Sequence, residues 1–87
     1  MSINQELANI ISNLDDNSLL NNSLQIKELL YSGAVLDDAL SEALFVSSVE
    51  LLEKIKTNPN NYTISNEQIA AINNIISKME LSFMDLE

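Results

Sequence analysis

Apolar residues recur along this chain at steps of three and four, the spacing that puts side chains on one face of an α-helix. Ile3, Leu7, Ile10, Ile11 and Leu14 form the first such stripe. Ser2 with Gln5 three residues later reads as a capping box, in which each side chain bonds the other residue's free backbone N–H. The cluster Asp15-Asp16-Asn17-Ser18 ends that helix and offers N-caps for the next. Leu19, Leu20, Leu24, Ile26, Leu29, Leu30 and Tyr31 supply the second apolar face, and Ser32-Gly33 stops it, because glycine adopts the left-handed conformation a helix end favours. A third helix starts near Leu36 or Asp37 and runs to about Lys56. Thr57-Asn58-Pro59-Asn60-Asn61 is the clearest loop, since proline forbids continuation of the helix. Ser65 and Gln68 form a second capping box, with Ile64 placed to staple onto Ile69. The last stripe runs Ile69, Ile72, Ile76, Met79, Phe83 and Leu86.

No segment shows sustained strand alternation. The pattern predicts an all-α single domain spanning 1–87, a compact antiparallel bundle of four short helices over about 3–14, 18–31, 36–56 and 66–84. Asp85, Leu86 and Glu87 put carboxylates where a helix already carries partial negative charge, so the last turn is expected to fray. A frayed Phe83 and Met84 would be available to a partner.

Composition narrows the chemistry. Thirteen Asp and Glu stand against four Lys and no Arg, giving a net charge of −9, and the 87 residues contain no His, Cys or Trp. An apolar fraction of 46%, rich in Leu and Ile, separates the chain from disordered acidic segments. Without Cys there is no disulfide framework or thiolate metal site, and without His no proton shuttle near neutral pH. No apolar run approaches the roughly 18 residues of a membrane span, and Met1-Ser2-Ile3-Asn4-Gln5-Glu6 lacks the basic start of a signal peptide. The expected location is the cytoplasm, where the sequons at Asn21 and Asn61 carry no meaning.

Carboxylates are the only catalytic-grade side chains in number, and a domain this small leaves little volume for a substrate pocket. Asp15-Asp16 and Asp37-Asp38 sit at helix starts, where Asp is the expected cap. An EF-hand loop fails in both registers: from Asp15, position five is Leu19 and position twelve Ile26, and from Asp16, position five is Leu20 and twelve Lys27. Phosphate binding fails for want of a basic patch, so no nucleic-acid partner, metal or other cofactor is expected. The reading is of a protein that is not an enzyme.

What remains is the acidic surface, most pointedly on the third helix. There Leu36, Leu40, Ala43, Leu44, Leu51, Leu52 and Ile55 share one broad side, with Phe45 at its margin. On the opposite arc Asp38, Glu42, Glu50 and Glu53 surround Ala39, Val46 and Val49. A partner-binding face would combine carboxylates that steer a basic protein with valines that hold it. The competing expectation is that Val46 and Val49 lie under a neighbouring helix or a second copy of the chain.

The Leu36-Asp37-Asp38-Ala39-Leu40 start, the amphipathic helix after it and Asn58-Pro59-Asn60-Asn61-Tyr62 resemble, over roughly 30 residues, the layout of the small acidic bacterial immunity proteins that neutralise colicin-like or contact-dependent toxins. The resemblance implies a helical bundle, a cytosolic inhibitor, and a basic toxin domain, of nuclease type, as partner. The adjacent tyrosine pair of the colicin group is absent, with Tyr62 alone near that place, so its contact residues do not carry over. Small acidic helical regulators of enteric bacteria, which form homodimers, and secretion chaperones are similar in size, acidity and helicity.

Overall fold

Each helix starts where a short polar side chain can take a backbone N–H that the first turn leaves unpaired. In the computed structural model, which describes residues 2–84, Ser2 accepts from the Gln5 N–H and opens α1 (Ile3–Ser12). Asp15 accepts from the Ser18 N–H at 2.8 Å and opens α2 (Asp16–Tyr31). Asp37 accepts from the Leu40 N–H at 2.8 Å and opens α3 (Asp38–Thr57). Ser65 accepts from the Gln68 N–H at 3.2 Å and opens α4 (Asn66–Met84). A single 3₁₀ turn, Pro59–Asn61, interrupts the connection between α3 and α4.

The all-α four-helix class is as the periodicity predicts, with shifted ends. α1 stops at Ser12 rather than residue 14, α2 begins two residues earlier than expected, and α3 begins at Asp38 because Asp37 serves as its cap. Of the two capping boxes only the second is complete. The Ser65 N–H donates to Gln68 Oε1 at 2.9 Å, whereas the Gln5 side chain turns forward and donates to Asn9 Oδ1 at 2.9 Å. Asp85, Leu86 and Glu87, and with them the expected fraying, lie outside the described residues, as do the side chains of Phe83 and Met84.

α2 ends in a Schellman turn: Ala34 N–H reaches Leu29 C=O at 3.0 Å, with Gly33 at φ +100°. The turn is pinned to α1, since the Val35 N–H donates to Asn4 Oδ1 at 2.8 Å. Gln25 Nε2 donates to Glu6 Oε1, so α1 and α2 run in opposite senses. Lys54 Nζ meets Asp16 Oδ2 at 2.9 Å, which joins the end of α3 to the start of α2 and makes that pair antiparallel too. Gln68 Nε2 donates to Leu20 C=O, and Lys78 lies over the Tyr31 ring, so α4 runs parallel to α2.

Consecutive helices thus alternate in direction, but the neighbours around the bundle are α1–α2, α2–α4, α4–α3 and α3–α1. Two of those four packed pairs are parallel. The α2–α3 connection, residues 32–37, crosses the diagonal. The bundle measures 36 × 31 × 20 Å.

One hydrophobic cluster holds residues of all four helices, among them Leu7, Leu19, Ile26, Leu44, Leu51, Ile72 and Ile75, all fully buried. Each such side chain is worth about 2 kcal/mol of removal from water. Several positions depart from expectation. Ala43, placed with the core by periodicity, is exposed, as are Leu24 and Tyr31, because α2 meets its neighbours on an arc that those two residues flank. Ile75 is buried instead because α4 is covered from two sides, by α2 and by α3.

Among the described residues two polar side chains are buried, Ser23 in α2 and Ser48 in α3. Ser23 Oγ donates to Leu20 C=O at 3.0 Å; Ser48 Oγ has no partner. An unpaired buried hydroxyl is a net cost.

Two consequences follow for stability. Gln68→Ala removes both the box and the tie to Leu20 and is expected to cost about 1–2 kcal/mol in urea unfolding, against under about 0.5 for Gln5→Ala. Equal costs would contradict the different roles. Ser48→Ala is expected to raise stability by about 1 kcal/mol, and Ser48→Leu to lower it by overpacking; a marked loss in Ser48→Ala would show an unrecognised partner for the hydroxyl.

Candidate functional site

α3 packs on α4 along one edge and on α1 along the other, and meets α2 only across the diagonal, so its outer arc stays in solvent. Asp38, Glu42, Val46, Val49 and Glu53 follow at steps of four, four, three and four. They form a stripe about 22 Å long at 1.5 Å per residue. Glu50 lies beside Val46 and Glu53 on the same arc. The four carboxylates are exposed, Val46 is 43% exposed, and Val49 is half-buried. Ala39 and Ala43 are exposed along one edge and leave the stripe low in relief. No described helix covers Val46. The six residues singled out from the sequence therefore share one helix face.

The arc is not uniformly negative. Lys54 and Lys56 stand in its last turn, where cations suit the helix C-terminus. Lys54 leans out of the stripe toward Asp16, with both side chains partly in water. The hydrogen bond and charge of Asp16 hold the Lys54 ammonium above its ordinary value of 10.5. The stabilisation that Lys54 draws from the pair is present through the neutral range and is lost as the pH rises through the elevated value. The negative end of the stripe is therefore its beginning, at Asp37, Asp38 and Glu42.

An open depression of about 300 Å³ lies at the other end, lined by Glu50, Glu53, Lys54, Thr57 and Asn58. Its size exceeds what the small domain leads one to expect. Its lining is solvent-exposed and contains no nucleophile paired with a base, and the Thr57 hydroxyl already donates to the Glu53 C=O at 2.9 Å. The carboxylates of Glu50 and Glu53 in that lining offer attraction for a cationic group. Among the described residues no group of three or more acidic side chains is arranged to hold a metal ion. No helix among them is long and apolar enough to cross a membrane.

Other surface features escaped the sequence reading. Ile3, Leu24 and Tyr31, expected on the apolar faces of their helices, are exposed, as are Val35 and Leu81. The signal for Tyr31 and Val35 is their position on either side of Ser32-Gly33, beyond the reach of the helices that cover Leu29 and Leu30. No protein-family model, curated protein or solved structure matches the chain.

The caps make stability sensitive to acid. Two hydrogen bonds from Ser18, the backbone N–H first and the hydroxyl second, hold the Asp15 carboxyl below its ordinary value of 3.8. A lowered folded-state value stabilises the fold above the unfolded value and is lost as the pH falls through the folded one. The urea midpoint is expected to fall between pH 6 and pH 3, and Asp15→Asn, which keeps a capping oxygen, to flatten part of that fall. An identical profile in the variant would remove Asp15 from the account.

Proposed function

We propose that this chain is a non-enzymatic inhibitor of the bacterial immunity type, a cytosolic protein that neutralises a basic, nuclease-type toxin domain by binding it. The observation that supports this reading is the outer arc of α3, where exposed carboxylates at 38, 42, 50 and 53 flank an exposed Val46 and a half-buried Val49. Charge of one sign over a net −9 molecule speeds encounter with a positive partner. Apolar atoms inside the ring supply the contact that slows release. No cofactor enters, and the carboxylates act as charges rather than as proton donors.

The same negative charge disfavours pairing of two copies through α3, since each would bring its own acids to the seam. The homodimeric-regulator reading thus draws no support from this face. Sedimentation at micromolar concentration is expected to show a monomer, and a stable dimer would turn the assignment toward the regulators.

Mixed with a basic nuclease-type toxin domain, the chain is expected to form a stoichiometric complex whose association slows steeply with added salt. Glu42→Lys with Glu53→Lys is expected to cut the association rate at least about tenfold at low salt while leaving the helical circular dichroism of the free protein intact. Unchanged association in that double variant removes the α3 arc from the interface.

A further inference from the structure

Six large apolar side chains stand in solvent among the described residues, and four of them gather at one end of the bundle. Ile3 begins α1, Tyr31 ends α2, Val35 stands in the turn that follows, and Leu81 lies in the last turns of α4. Their exposures run from 38% at Ile3 through 56% and 58% at Tyr31 and Leu81 to 69% at Val35. Contacts tie these elements together: the side chain of Asn4, next to Ile3 in the chain, holds the Val35 N–H, and the Lys78 ammonium, one turn before Leu81, sits 5.4 Å from the centre of the Tyr31 ring. Both contacts fix groups that would otherwise have to be ordered on binding, which lowers the entropic cost of association. Acidic residues border it in the chain: Glu28 lies one turn before Tyr31 in α2, and Asp37 and Asp38, at the beginning of α3, follow Val35 by two and three residues.

We infer that this end is the anchoring half of the interface and takes a basic amphipathic segment of the partner protein, its apolar side on Tyr31 and Val35 and its cations on Glu28 and Asp37. The inference rests on the reading of α3 as the face that meets a basic protein, and adds to it where the binding strength resides. An exposed tyrosine held in place by a neighbouring cation is the kind of residue on which binding energy concentrates. A second copy is the poorer occupant, because it would bring the same carboxylates against these. A purely cationic ligand would leave the apolar side chains in water.

The test uses two probes against the ¹⁵N-labelled full chain: a synthetic helical peptide of Leu, Trp and Lys, and an oligolysine of equal charge. The amphipathic peptide is expected to shift the amides of Ile3, Tyr31, Val35 and Leu81, and the oligolysine those of residues 38–53. Tyr31→Ser with Val35→Ser is expected to weaken the amphipathic peptide at least about tenfold, with oligolysine binding and circular dichroism unchanged. Equal affinity in that variant overturns the proposal, as do shifts centred on Val46 and Val49, or a dimer that the two substitutions dissolve. Glu42→Lys with Glu53→Lys separates the two readings. If it leaves toxin association untouched while the serine variant abolishes tight binding, the α3 arc is wrong and the anchoring end stands.

Discussion

α4 lies along α2, and most of the molecule's shape depends on that pairing. Nothing else staples the chain: it has no disulfide, no described metal site, and only one described ion pair, at the surface. Stability must come from burying Leu and Ile, and in so small a domain the buried fraction is limited. Setting α4 between α2 and α3 lets Ile72, Ile75 and Met79 be covered from two directions at once. Gln68 fixes the start of the contact by closing its own helix cap and reaching the Leu20 carbonyl with the same side chain. Lys78 on Tyr31 marks its far end.

That packing decides what is left for recognition. With α4 along one edge of α3 and α1 along the other, the outer arc of α3 is what remains in solvent. Its carboxylates need no partners to remain where they are, and Val46 stays in water for want of a fifth element to cover it. The buried Ser48 hydroxyl, without a hydrogen-bond partner, is a cost the fold carries. At the other extreme, Tyr31 and Val35 are exposed because the chain turns away at Gly33 before any helix can lie over them.

How much of this was legible beforehand differs by level. Capping residues and the proline loop marked all four helices to within about two residues, because caps are local chemistry written into three or four positions. The Ser2–Gln5 box was half wrong for the same locality: Asn9, one turn on, offers the glutamine a competing acceptor that the motif ignores. Which apolar residues are buried was less legible. Periodicity assigns a face but not its width, so Ala43, Leu24 and Tyr31 fell on the wrong side and Ile75 was passed over. The six residues of the α3 arc could be grouped from spacing alone, since they share one helix. The exposed end could not, since it joins α1, α2 and α4 through contacts between residues as far apart as Asn4 and Val35.

The most direct test of the account is hydrogen–deuterium exchange on the full chain, alone and bound to a basic nuclease-type toxin domain. Protection of residues 31–53, the turn after α2 and the exposed length of α3, reaching the start of α1 at Ile3 and the end of α4 at Leu81, with the first turns of α4 unchanged, is the predicted result. Protection centred on the first turns of α4, or none at any segment, would contradict it.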